Sequence, residues 1–233
     1  IARYIIFQIL KSLKNEKVNY DLLFSKRTKN KKINSSDIKL IQNVVLNSMR
    51  YNLEIDQIIK MYAKKINRNS NSYFLLLSSI TQIVFLNFKD YAVIHSSVEI
   101  AKIKKLKIYP AFVNAFLRNI ARNKKKLSES RSTFSELPRW FRDQTRNWDK
   151  KIKIDFVETI KKEPDIHIIF KESKDLKDFH LPNIKTTKKS MIVKNSGKIE
   201  NLPKYNDGIW WVQDFSSMLP LFLFKNKKTN KIL

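Results

Sequence analysis

The stretch at 73–87 most limits what this chain can become. Tyr73-Phe74-Leu75-Leu76-Leu77 runs on through Ser78, Ser79, Thr81 and Gln82 to Phe85-Leu86-Asn87, and it is apolar on nearly every side of a helix. A helix without a polar face has to be surrounded, so this one predicts the centre of a bundle. Its neighbours carry the complementary one-sided pattern. Ile5, Ile6, Ile9, Leu10 and Leu13 follow the spacing of a single helical face. Ile38, Ile41, Val44, Val45 and Met49 form a second such face, after a polar break at 29–36 in which Ser35 or Ser36 is the expected N-cap. A helix over 53–66 turns Ile55, Ile58, Ile59, Tyr62 and Ile66 inward, and 67–71 is a turn. Helices over 93–104 and 111–122 complete the set, with Pro110 in the first turn of the last.

Three segments follow: an all-helical unit over 1–127, a helical connector over 128–162 and a small α+β subdomain over 163–233. The fold class is mostly α. Residues 123–135 are polar and basic, a linker. Helices are expected over 139–148 and 151–162, strands over 166–170, 190–194 and 210–212, and helices over 173–178 and 214–224, with a turn at 195–197. No complete sheet is expected from so few strands. The chain opens on Ile1 and closes on Ile232-Leu233, which reads as a strand just begun, so a fragment of a longer polypeptide is expected.

Composition removes several chemistries. The glycines are Gly197 and Gly208 alone, too few for a P-loop or a dinucleotide fingerprint, which need backbone to approach phosphate closely. There is no cysteine, hence no disulfide framework and no thiolate metal site. His95, His167 and His180 share no metal-ligand spacing, and Glu163 and Asp165 flank Pro164 as solvated carboxylates. No apolar run approaches the roughly 20 residues that span a bilayer, which makes a cytoplasmic, membrane-free protein the default, with a monomer as its expected state.

The formal charge of +26 leaves two readings. A polyanion partner, above all nucleic acid, is one. The other is codon drift in an AT-rich genome, since Lys outnumbers Arg by 37 to 10 and Asn and Ile are abundant. Position narrows the first. Arg118, Arg122, Lys124, Lys125 and Lys126 run off the end of the last bundle helix, where they can neutralise phosphates or simply complement the helix dipole. Arg3 and Lys11, two turns apart on the first helix, are a second candidate contact or a solvated face. Asn114, inside an apolar helix, is expected to be buried and paired with backbone. Trp210 and Trp211 offer a stacking platform, or split with one ring inside and one out. Asp214 caps the helix that follows it, a role compatible with a place at a site.

Two segments carry a resemblance. Tyr91-Ala92-Val93-Ile94-His95-Ser96-Ser97-Val98-Glu99-Ile100-Ala101-Lys102 and Ala111-Phe112-Val113-Asn114-Ala115-Phe116-Leu117-Arg118 resemble the last two core helices of the NusB fold. That RNA-binding fold occurs as a transcription antitermination factor and as the N-terminal domain of the 16S rRNA cytosine-C5 methyltransferases called Sun or Fmu. Leu137-Pro138-Arg139-Trp140 is similar to the segment leaving the helical domain of those enzymes. Gly208 to Ser217, with Val212-Gln213-Asp214 and Ser216-Ser217, looks like the stretch before their S-adenosylmethionine-binding strand. The resemblance covers essentially the whole chain and implies the methyltransferase branch, with 16S rRNA as partner and S-adenosylmethionine as the cofactor of the full-length protein. It also implies that Gln213, Asp214 and Ser217 lie near the site. In that family a cysteine thiolate adds to cytosine C6 so that C5 can attack the sulfonium methyl. Without cysteine or a Gly-rich loop this fragment is expected to bind no cofactor and to have no catalytic residue. Two rivals remain: a non-enzymatic antitermination protein, which leaves 128–233 without a role, and a basic helical protein whose charge is drift alone.

Overall fold

The computed structural model describes residues 1–16, 18–29, 33–129, 137–177, 179, 183–185, 187, 189–193 and 199–223. It divides into two compact units, Ile1–Lys161 and Lys162–Leu233.

In the first unit the apolar stretch is the centre it was expected to be. It forms helix α5 (Asn71–Ile80) and runs on as one π turn, Thr81–Phe85. Every residue from Tyr73 to Val84 is buried. Around it lie α1 (Ala2–Asn15), α2 (Tyr20–Thr28), α3 (Ser35–Arg50), α4 (Asn52–Tyr62), α6 (Asp90–Ala101) and α7 (Pro110–Arg122). Apolar stripes pack against it: Ile5, Ile6, Ile9 and Leu10 from α1, Ile41, Val44 and Val45 from α3, Ile55, Ile58 and Ile59 from α4.

The core is not wholly apolar. The Ser48 and Thr81 hydroxyls meet at 2.8 Å, as do those of Ser79 and Ser97. Thr81 and Ser79 also donate to the carbonyls of Leu77 and Leu75, and Gln82 to that of Ser78. Polar groups buried this deeply stay only when bonded. The π turn includes Thr81 and Gln82: the Leu86 amide reaches back five residues to the Thr81 carbonyl at 2.9 Å, and Asn87 follows at φ 53.

Several boundaries differ from the pattern. The cap of α3 is Asn34, not Ser35 or Ser36. Asn34 alone is extended (φ −71, ψ 161), and its side chain accepts from the Asp37 amide at 2.7 Å, so both serines fall inside the helix. The helix expected over 53–66 stops at Tyr62 because Ala63 leaves helical geometry, although Ile66 still packs on the core. Helix α2, capped by Asn19, was not foreseen: it buries Leu23 alone and has almost no stripe to detect. Residues 124–128 are a short helix, α8 (Lys124–Ser128), rather than linker, because Leu127 is 3% exposed and turns the chain back onto the bundle. The rest of that expected linker, 130–136, lies outside the described residues.

The unit closes with α9 (Arg139–Gln144) and α10 (Lys150–Thr159), shorter than expected and packed on each other through Phe141, Trp148 and Phe156. The ammonium of Lys161 meets the Glu54 carboxylate on α4 at 2.7 Å, and Glu54 is only 2% exposed. Lys161→Met takes one charge partner from that buried carboxylate. Urea unfolding is expected to show a loss of about 2 kcal/mol, below the full range for buried pairs because Lys161 keeps some solvent.

The second unit carries a sheet after all, which corrects the expectation of an incomplete one. Strands β1 (Ile166–Phe170), β2 (Asn183–Lys185), β3 (Ser190–Val193) and β4 (Trp210–Val212) make an antiparallel sheet in the order β2-β3-β1-β4. Alternation drives it: Ile168 and Phe170, Met191 and Val193, and Trp210 share a core with Leu176 of α11 (Ser173–Lys177), Phe179 and Leu202. Strand β2 went unread because three residues of mixed polarity give no period. Helix α12 (Phe215–Leu223) follows β4. The turn expected at 195–197 and the strand expected at 232–233 lie outside the described residues.

Candidate nucleic-acid interface

Helix α7 presents two faces. Val113, Phe116, Leu117 and Ile120 are buried, while Ala111, Ala115, Arg118 and Arg122 follow one another on the exposed side at i, i+4, i+7 and i+11. Arg118 donates from Nε to the Asn114 side chain at 3.2 Å. Asn114 is therefore half-exposed and paired with a side chain, not buried against backbone, because its position falls beside the buried stripe. Beyond the helix end the three lysines separate. Lys124 is held by Asp90 at 3.1 Å, at the start of α6. Lys125 and Lys126 are exposed.

The other end of α7 is basic too, which sequence reading missed. A tight turn at Lys104–Leu106 leads to Lys107 in the left-handed region at φ 52. Leu106 and Ile108 anchor this loop in the core, and the Asn71 amide nitrogen holds the Leu106 carbonyl at 2.8 Å. Lys104, Lys105 and Lys107 are thereby turned to solvent, next to Tyr109 at 79% exposure and Phe112 at 38%. The missed signal was a run of cations at 104–107 followed closely by aromatics at 109 and 112, a pattern suited to phosphates and bases together. Pro110 and Arg122 are about 18 Å apart along the axis, long enough to follow several phosphates. No carboxylate occurs from Pro110 to Lys126.

The two candidates on α1 do not sit together. Eight residues at about 100° each leave Lys11 roughly 80° round from Arg3. Lys11 lines a 220 Å³ cavity with Tyr4, Gln8, Arg27 and Leu106, beneath the basic loop. Arg27 is a further cation that the sequence did not single out; its Nε is buried without a hydrogen-bond partner among the described residues. Arg3 lines a different cavity of 470 Å³ with Asp37, His95 and Glu99. Its Nε donates to Gln82 at 2.7 Å. Burial pulls its guanidinium below the ordinary arginine value, with Asp37 pulling the other way. An anion there would meet two carboxylates, whereas one at Lys11 and Arg27 would meet Glu16, already taken by Ser12 at 2.6 Å.

A larger cavity of 590 Å³ between α1, α3, α4 and α5 has Lys14, Lys60 and Arg68 among its lining residues. These cations are engaged. Lys60 and Arg68 pair with Asp56, and Lys14 lies over the Tyr73 ring at 5.2 Å. Desolvation raises the Asp56 carboxyl, but hydrogen bonds from Lys60 and Arg68 outweigh it and hold the group below the usual range. Burial, with Asp56 nearby, pushes the Tyr73 hydroxyl up to about 12.

In the second unit the Asp214 side chain accepts from the Ser216 hydroxyl at 2.7 Å and its amide at 3.3 Å, as a cap for α12 should. Those bonds hold its carboxyl below the usual range. Ser217 donates to the Asp214 carbonyl at 2.6 Å, and Gln213 accepts from the Trp211 indole at 2.7 Å. The tryptophan pair splits: Trp210 is 6% exposed and Trp211 46%. Gly208 turns at φ 65, in the left-handed region that favours glycine, and a Cβ on it would meet no protein atom within 4 Å.

Among the described residues no group of histidines and carboxylates can hold a metal ion, and no helix is long and apolar enough to cross a membrane. A family model described as the NusB family matches residues 1–122. A chain from a crystal structure of a plectonemic RNA supercoil is similar over 55% of this chain and 96% of its own length, at 24% identity and a TM-score of 0.48. The crystal structure of PH0851 is similar over 97% of this chain, at 11% identity and a TM-score of 0.52. That match takes in 56% of PH0851, so the present chain spans little more than half its length, and the likeness is one of fold. No curated protein matches the chain.

Proposed function

The chain belongs to the NusB family, and from this we propose that it is the RNA-docking part of an S-adenosylmethionine-dependent 16S rRNA cytosine-C5 methyltransferase. Residues 1–122 are a NusB-type RNA-binding domain. In this reading α7 and the two basic clusters at its ends follow the rRNA backbone without reading its sequence. The observation that carries the finer reading is a second compact body, Lys162–Leu233, which an antitermination factor of the NusB type would not use. Leu137 to Trp140 and Gly208 to Ser217 support it by their resemblance to the enzyme branch.

The residues present do not fit the cofactor. With no cysteine in the chain, nothing here can add to cytosine C6, and two glycines are too few for a Gly-rich cofactor loop. The proposal therefore assigns thiol and methyl donor to a catalytic domain outside these residues, with this chain as the arm that delivers the target. Reading the coding DNA past codon 233 tests this. A continuing frame with a Gly-rich loop and two Cys-containing motifs is expected. A stop codon directly after Leu233 sinks the enzyme reading and leaves the antitermination one.

A further inference from the structure

The α9–α10 hairpin has a small aromatic core of its own and leaves one ring outside it. Phe141 stacks on Phe156 at 4.9 Å, and Trp148 meets Phe156 edge-on at 5.5 Å. Trp140 touches Phe141 perpendicularly at 5.7 Å yet stays 69% exposed, more than any other tryptophan described. An indole that exposed keeps at least one π face open to water.

Its surroundings are charged rather than apolar. Arg139 precedes it with a side chain 89% exposed, meeting Asp143 at 3.6 Å across a pair open to solvent. Such a contact is weak and easily exchanged for a phosphate. Gln144 lies one turn on, and Arg146, Lys150 and Lys151 are exposed in the same hairpin. A protein-docking face would deplete charge around its central ring. An open indole beside a solvent-exposed, weakly paired guanidinium fits a base and its phosphate better.

We propose that Trp140 is a stacking platform for an unpaired nucleobase of single-stranded RNA, with Arg139 on the adjoining phosphate. Bases inside a duplex already have both faces covered, so the preferred target is a loop or a melted strand. Every base has a π face, so the site tolerates sequence. The proposal rests on the RNA reading above but on residues outside the family segment.

The test uses the full chain and a 12-nucleotide oligouridylate, with strand anisotropy for affinity and tryptophan emission for stacking. Binding is expected to quench emission. Trp140→Leu should remove most of that quench and weaken binding about 5- to 30-fold, while Trp140→Phe recovers most of the affinity. Circular dichroism should show both variants folded, since the ring is outside the core. Unchanged affinity and quench in Trp140→Leu, alongside weaker binding by Arg118→Ala, overturns the platform and leaves the RNA reading standing. Self-association that Trp140→Leu abolishes, with RNA affinity intact, reassigns the ring to a protein contact and also overturns it. No binding by the unaltered chain at low salt sinks both readings.

Discussion

Replacing Arg118, Arg122, Lys125 and Lys126 together with alanine lowers affinity for an rRNA hairpin by about 100-fold or more and flattens the salt dependence. The four are exposed on α7 and α8, and no carboxylate lies between them in the sequence. Each phosphate they neutralise releases counterions, contributing about 0.7–0.9 to the slope of log affinity against log salt. Losing four contacts should therefore reduce that slope by about 3, measured between 50 and 200 mM salt. Lys124→Ala is the internal control. Its ammonium serves Asp90, so it should change affinity little and cost at most about 1 kcal/mol of stability. A flat salt response in the unaltered chain, or a Lys124 effect equal to its neighbours', removes the phosphate strip from the account.

The largest effect on stability belongs to Phe74→Ala. Phe74 is 1% exposed at the centre of the bundle, meets the Tyr73 ring edge-on at 5.5 Å and lines the cavity among α1, α3, α4 and α5. Removing it takes away a whole buried ring and enlarges a space its neighbours cannot close. The expected loss is about 3–5 kcal/mol. Calorimetry should show the transition of the first unit falling by about 10 °C. Phe74→Leu, which keeps much of the volume, should lose under half as much.

What could be read beforehand follows from the range of the interactions involved. The central helix, the stripes on α1, α3 and α4, the split of Trp210 from Trp211 and the Asp214 cap are local patterns, and local pattern is what a sequence displays. The seam of Ser48 with Thr81 and Ser79 with Ser97 is not local, so its hydroxyls read only as blemishes in an apolar run. The interface shows the same divide. A basic strip at the end of α7 was visible, but three adjacent lysines are equivalent until Asp90, more than thirty residues earlier, takes the first of them. Arg3 and Lys11 seemed neighbours by count, yet the winding of α1 gives them different cavities. Lys104 reads as the last residue of a helix over 93–104, and no local pattern shows that the chain turns there and throws Lys104, Lys105 and Lys107 outward.

The hydroxyl seam has a further consequence. In a bundle packed by aliphatic side chains alone, a helix could slip by one turn and find nearly equivalent company. Here such a slip would part each hydroxyl from its mate, at about 0.5–1.5 kcal/mol for each of the two hydrogen bonds lost. The seam works as a key cut into the middle of the molecule. A genome drifting in base content can exchange isoleucine, leucine and valine around it with modest penalties, while these few small polar side chains hold the helices in a single alignment.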